Sequence, residues 1–293
     1  MGLPSLLYLR KTNHMCIIVA KYFYDTGWVG VKNRDRNYTP EISFRFSKKN
    51  NLDRLIFNDD MTGYMEGMNI NGVGILSTSL MVIDDEEVIK TRSDSAKSDG
   101  EKIIASLAEK NAEKAAQAVV DEGLTGCTII FDQEECYLVE ACMKDDKYVY
   151  DMGQIKQSQT VARTNHGIWL DWAGYQYGVD EKQDLSRESS ESRLKQAQAV
   201  AKSAKTPQDI IDGLAQQPNI DTQMNALRTT TSRKMMRTTA QEMIIPIENT
   251  FYLRPVSSHL HFDFWKLNQE EPDMWVEILS NRALKHNPIT GMD

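Results

Sequence analysis

Residues 16–35 read "CIIVAKYFYDTGWVGVKNRD". The opening run, "CIIVAKY" over 16–22, is apolar and β-branched, the composition of a buried strand. A "DTG" turn signal at 25–27 follows. Then comes "GWVGVKNRD", whose apolar and polar residues alternate as in a second strand. Met15 stands directly before Cys16, with fourteen residues ahead of it. A thiol therefore heads the first strand. Behind an initiator-like methionine, Cys16 can become a new amino terminus.

Outward from this pair, "EISFRFS" (41–47) alternates as a half-buried strand. "YMEGMNINGVGILSTSL" (64–80) reads as paired strands around a turn at Asn71 and Gly72. Residues 99–122 are rich in Ala, Glu and Lys with apolar residues at helical spacing, which predicts one or two helices ending at Gly123. Strands return as "CTIIFD", "CYLVEA", "KYVYDM" and "QTVARTNH" between 127 and 166. The stretch 189–203 is helical, with serines placed as N-caps. A further helix starts at Thr206 and Pro207. "EMIIPIE", "TFYLRPV" and "HLHFDFW" close the chain as strands, before a polar tail from about residue 268. Strands, helices, strands, helices, strands is a segregated α+β order. Two antiparallel sheets with helices outside satisfy it.

Composition narrows the function. The chain has 293 residues, 41% hydrophobic, with 42 acids against 34 bases and a net charge of −8. Scattered acids and the lack of a basic stripe argue against a nucleic-acid partner. No apolar run approaches the roughly 18 residues of a membrane span. "LPSLLYL" near the start is too short for a secretory signal and has no small-residue cleavage site. Cys16, Cys127, Cys136 and Cys142 show no metal or disulfide spacing. The last three are expected to be buried, reduced thiols, and the compartment to be cytoplasmic. His259 and His261 share one face of a strand, but without an acidic partner at ligand spacing they make a poor metal site.

Cys16 as a mature N-terminus would carry nucleophile and base on one residue. A thiol ionises near about 8.5 and an α-amine near about 7.7–8.0, so the amine can take the thiol proton and return it to a leaving amine. "VKNRDRNY" places Lys32, Asn33, Arg34, Asp35 and Arg36 at the end of the next strand. Lys32 can lower the thiol pKa and Asp35 can orient the α-ammonium, both facing the start of the neighbouring strand. Arg34 is expected on the opposite face of the strand. "RTNHG" (163–167) supplies Asn165 as an oxyanion donor. His166 is read as ordering that loop.

"MC" before a strand, "KNRD" at 32–35 and "TNH" at 164–166 together resemble the cysteine-type N-terminal nucleophile (Ntn) hydrolases. The likeness is to the isopenicillin N acyltransferase and acid-ceramidase-like amidases, with penicillin V acylase and bile salt hydrolase (the choloylglycine hydrolases) as relatives. That family carries an arginine and an aspartate sixteen and nineteen residues after its cysteine. Here those positions are Lys32 and Asp35. Lysine keeps the charge but not the planar fork. "EGMNINGVGILSTS" resembles the segment bearing a second oxyanion contributor, placing Ser79 where acylase relatives carry asparagine, with Ser77 and Thr78 beside it. "SSESRLKQA" resembles the serine-then-arginine opening of a helix, giving Arg193.

The resemblance implies a four-layer αββα sandwich over 16–293 as one domain, with residues 1–15 a leader or over-extended start. It implies hydrolysis or acyl transfer at a linear amide through a Cys16 thioester. Cys16, Lys32, Asp35, Ser79, Asn165 and Arg193 would form the site, with no metal and no cofactor. The partner would be a small-molecule N-acyl amide, and a homo-oligomer is compatible with this. The absent asparagine and the lysine at 32 also suit a catalytically impaired binding or scaffold protein.

Overall fold

The computed structural model describes residues 15–36, 38, 40, 42–49, 52–59, 62–80, 98–174, 181–229, 236–256 and 265–268. Strand β1 (Ile17–Phe23) and β2 (Gly27–Arg36) form the hairpin expected around the "DTG" turn. Gly27 closes it at φ +77°, where a Cβ would also meet the Gln133 carbonyl oxygen at 2.4 Å. Then come β3 (Ile42–Lys49), β4 (Leu52–Asp59), β5 (Tyr64–Asn69) and β6 (Gly74–Thr78). After a helical segment follow β7 (Gly126–Phe131), β8 (Cys136–Lys144), β9 (Lys147–Gln154) and β10 (Thr160–Arg163). After a second come β11 (Arg237–Ile245), β12 (Thr250–Pro255) and β13 (Trp265–Asn268). The expected strand over 259–265 lies almost wholly outside the described residues.

Two antiparallel sheets result. One has the order β10-β1-β2-β11-β12-β13, the other β3-β4-β5-β6-β7-β8-β9. Strand β4 has no counterpart in the sequence reading. Its apolar residues Leu55, Ile56 and Phe57 are consecutive, so alternation is hidden. All three are buried because both faces of the sheet are covered.

Helices α1 (Asp99–Ser106) and α2 (Ala112–Asp121) divide the single Ala/Glu/Lys-rich stretch in two. Ser98 caps the first through a capping box with Glu101, and Asn111 caps the second. Helices α3 (Glu181–Ser203) and α4 (Pro207–Ala215) cover the other sheet. Thr206 caps α4 as expected, with Pro207 at its first position. Helix α3 begins eight residues before the expected 189. Its serines are therefore interior residues and not caps: Ser189 Oγ donates to the Gln223 carbonyl and Ser190 Oγ to Thr164 Oγ1.

Side-chain alternation sorts the core into three layers. Ile18, Ala20 and Trp28 meet Leu55, Phe57, Leu76 and Phe131 between the sheets. Ile17, Val19, Val29 and Val31 meet Leu194, Ala197, Ile210 and Leu214 under α3 and α4. Ile56, Ile75, Ile130 and Val139 meet Ile103, Leu107 and Val119 under α1 and α2. This is the expected αββα sandwich. Residues 17–20 of β1 are buried on both faces, which explains their unbroken apolar run. Among the described residues, no helix is long and apolar enough to cross a membrane.

Gly30 of β2 makes room for the ring of Phe131, which a Cβ would approach to 2.2 Å. Replacement by valine overpacks the space between the sheets. Gly30→Val is expected to lower stability by about 1–3 kcal/mol, seen as a lower urea midpoint with an unchanged slope.

Candidate active site

The site is built where β1 begins and β2 ends. Residues 32–36 of β2 are all polar, and all have 0% exposure. Alternation sends Lys32, Arg34 and Arg36 into the space between the sheets, and Asn33 and Asp35 towards the helices. Two expectations are corrected by this. Arg34 lies on the same face as Lys32, because residues two apart on a strand share a face; both reach Glu66. Lys32 and Asp35, three apart, lie on opposite faces.

Between the sheets, Lys32 Nζ pairs with Glu66, donates to the Ser77 carbonyl at 2.7 Å, and sits 4.8 Å from the Tyr64 ring centroid. Arg34 Nη1 meets Glu66 Oε2 at 3.0 Å and Glu242 Oε1 at 3.6 Å, while its Nη2 meets Asp59 Oδ2 at 3.3 Å. Arg36 Nε meets Asp59 Oδ2 at 3.2 Å. Tyr38 also donates to Asp59, at 2.7 Å, and Tyr64 hydrogen-bonds Ser77 Oγ. Three cations thus face three carboxylates, all with 0% exposure.

On the helix side, Asp35 Oδ1 accepts from Thr238 Oγ1 at 2.7 Å, and Oδ2 lies 3.4 Å from Arg193 Nη1 and 3.6 Å from Arg228 Nη1. A register shift between Thr238 and Ala240, opposite Asp35 and Arg34, delivers that hydroxyl; the intervening Thr239 donates to the Arg34 carbonyl. Burial pushes the Asp35 carboxyl up, against the pull of Arg228, Arg193 and the Thr238 hydroxyl.

Arg193 joins the two halves. Its Nη2 donates to Asn165 Oδ1 at 3.1 Å. Asn165 Nδ2 donates in turn to Thr78 Oγ1 at 2.9 Å and to the Ser79 carbonyl at 2.7 Å, and its main-chain N–H donates to Ser190 Oγ. Strand β10 pairs Arg163 with Ile18. Continued by two residues, that register sets Asn165 opposite Cys16. His166 Nδ1 contacts Ser190 Oγ at 2.8 Å and Thr164 Oγ1 at 3.2 Å, ordering the loop as expected, and burial lowers its pKa. The loop is fastened further on, where Glu140 pairs with Arg163 and accepts from the N–H groups of Ile168, Trp169 and Leu170.

Cys16 is 1% exposed, with Arg36 Nη1 3.2 Å from its sulfur. Burial pushes its thiol up, as does the Asp35 carboxylate. Lys32, Arg36 and the main-chain N–H of Asp35 outweigh them, so the thiol lies below its ordinary range. Burial drives Cys127 and Cys136 well above theirs, aided by Glu140 and Asp132 respectively. Cys127 and Cys136 are buried free thiols as expected; Cys142 is only half-buried, because it sits near the exposed end of β8. Burial also pulls Lys32 down to about 7, opposed by Cys16 and Glu242.

All six residues named from the sequence therefore converge: Cys16, Lys32, Asp35, Ser79, Asn165 and Arg193. Ser79 takes part through its carbonyl, and its neighbour Thr78 supplies the side-chain contact. The sequence reading missed Arg36 at the sulfur, Arg228 on Asp35, and Glu66 and Tyr64 from the facing sheet. Arg36 was legible in part, sharing a face with Lys32; Arg228 carries no local signal. Among the described residues, no group of three His, Cys, Asp or Glu could hold a metal. His259 and His261 lie outside those residues.

Among the solved structures that share the fold are an acylase and a hydrolase. Penicillin V acylase from Agrobacterium tumefaciens matches with a TM-score of 0.50 at 14% identity, over 87% of this chain and 87% of that one. A variant of conjugated bile acid hydrolase from Clostridium perfringens matches with a TM-score of 0.55 at 14% identity, over 87% of this chain and 93% of that one. The chain has the Ntn-hydrolase type of αββα sandwich. No family model and no curated protein sequence matches it.

Asp35 is shared by two buried arginines. Asp35→Ala leaves both uncompensated and is expected to cost about 3–5 kcal/mol. Arg228→Met, which leaves Arg193 on Asp35, should cost clearly less. Urea midpoints of the two variants check the order.

Proposed function

We propose that this protein is an amidohydrolase or acyltransferase that cleaves a linear, non-peptide amide through a thioester on Cys16. The observation that carries the reading is the contrast among its buried thiols. Cys16 is held below its ordinary pKa by Lys32 and Arg36, while Cys127 and Cys136 are driven above theirs. A thiolate at the head of β1, opposite Asn165, suits attack on a carbonyl.

In this reading translation starts at Met15 and its removal frees the Cys16 amine. The sulfur attacks the amide carbon, the amine carries the proton to the leaving amine, and water or an acceptor amine releases the acyl group. Lys32 supplies positive charge. Asp35 holds the sulfur through its main-chain N–H and Arg193 through its carboxylate. Arg193 sets the orientation of Asn165, which with Thr78 and Ser79 borders the oxyanion. The substrate is a small N-acyl amide, and residues 16–293 act as one domain in the cytoplasm. The two fold relatives, a penicillin V acylase and a conjugated bile acid hydrolase, support this class.

A second reading, a binding or scaffold protein of the same fold, draws on the 1% exposure of Cys16. Intact-mass measurement separates them. The catalytic form should begin at Cys16 and, with a panel of N-acyl amides, gain the mass of one acyl group that is absent in Cys16→Ala. A purified protein that retains Met15, or undiminished turnover in Cys16→Ala, sinks the catalytic reading.

The pH dependence has a definite sign. Lys32 lowers the thiol, so wild-type acylation should rise with pH through a midpoint below that of an ordinary thiol. Lys32→Met should move that midpoint upward by about one unit. A midpoint that stays in place removes Lys32 from the proposed site.

A further inference from the structure

Among the described residues, the cation in direct contact with the Cys16 sulfur is Arg36. Two of the three nitrogens of that guanidinium have polar partners. Nε meets Asp59 Oδ2 at 3.2 Å. Nη1 meets the Asp35 carbonyl at 2.7 Å and Cys16 Sγ at 3.2 Å. Nη2 has no hydrogen-bond partner among the described residues, although Arg36 has 0% exposure. A buried donor without an acceptor carries its full desolvation penalty, and native structures seldom leave one without a purpose. The group is rigid and planar, so Nη1 on the sulfur holds Nη2 beside the nucleophile.

The other donor assigned to this place is already engaged. The amide group of Asn165 has two hydrogens, and it donates to Thr78 Oγ1 and to the Ser79 carbonyl. An oxyanion there would have to break one of those bonds. Arg36 Nη2 would break none.

We propose that Arg36 is a catalytic residue: Nη1 holds the Cys16 thiolate and Nη2 donates to the carbonyl oxygen of the acyl group under attack. The inference rests on the nucleophilic reading of Cys16. In the step concerned, a sulfur electron pair forms the C–S bond and the carbonyl π pair moves onto oxygen, where the Nη2 hydrogen meets it. Return of that pair breaks the bond to the leaving group. An amine departs with the proton taken from the thiol; a phenolate departs as the anion.

Two probes of Cys16 separate the two tasks in the full chain as purified. Attack on p-nitrophenyl acetate passes through an oxyanion; displacement on iodoacetamide does not. Both rates are followed by the mass of the Cys16 peptide. Arg36→Gln should slow acetylation about 100-fold more than it slows alkylation at the same pH. Arg36→Lys, which keeps charge but has a single nitrogen, should retain more of the alkylation rate and still lose acetylation. It also serves if the glutamine variant fails to fold, with melting curves defining the folded fraction.

A fall that is equal in both reactions, in whichever variant folds, overturns the oxyanion role. Wild-type protein that is alkylated but never acetylated at Cys16 overturns the nucleophilic reading and this inference together. Wild-type protein acetylated normally, with the ratio of rates unchanged in the variants, overturns this inference alone.

Discussion

Five consecutive side chains of β2, from Lys32 to Arg36, are cut off from water, and their neutralisation dictates what surrounds them. An isolated buried charge is far too costly to keep, so each must meet a partner. The facing sheet brings Glu66 and Asp59 to the three inward cations, and β11 brings Glu242. On the reverse face, Asn33 donates to the carbonyls of Leu214 and Ala226, where α4 and the following segment end. Asp35 draws Arg193 from α3. The two sheets and a helical layer are thus joined polar group to polar group at one end of a sandwich otherwise held by apolar contacts. Cys16 lies at that end and takes its electrostatics from it.

Much of the fold was legible because local signals and tertiary burial agree. The run from Cys16 to Tyr22 is a strand, the "DTG" turn makes a hairpin, and Thr206 with Pro207 starts a helix. Where the reading failed, the local pattern had two meanings. The serines at 189 and 190 suit an N-cap, but they serve Gln223 and Thr164 from inside α3. Leu55, Ile56 and Phe57 form a strand whose alternation is erased by burial on both faces. At the site, Cys16, Lys32, Asp35 and Asn165 were legible from residue type and position, and Ser79 and Arg193 from the family resemblance. Their partners Arg228, Glu66 and Tyr64 arrive from strands and loops far away in the chain, and no spacing encodes that meeting. The reading also credited Lys32 and Asp35 with one face, which the two-residue period of a strand forbids.

Asn165 illustrates how firmly a polar side chain can be held by hydrogen bonds alone. Arg193 fixes its oxygen, Thr78 and Ser79 its nitrogen, and Ser190 its main chain. Four residues from two segments contribute: Ser190 and Arg193 lie on α3, and Thr78 and Ser79 at the end of β6. The loop beyond Asn165 is tied by three N–H groups to the single oxygen Glu140 Oε2. The sandwich shared with an acylase at 14% identity persists here with its charges distributed in this particular way.

The alternation along β2 also acts as a proofreading device during folding. A one-residue slip of β2 against its neighbours would exchange its two faces. Lys32, Arg34 and Arg36 would then be driven against Arg193 and Arg228, and Asp35 against Asp59 and Glu66. Apolar strands can tolerate such a slip as an alternative packing. Here the slipped pairing would set like charge against like in a dry interior, which destabilises the slipped register. The same buried charges that make the site expensive to assemble leave it only one way to be assembled.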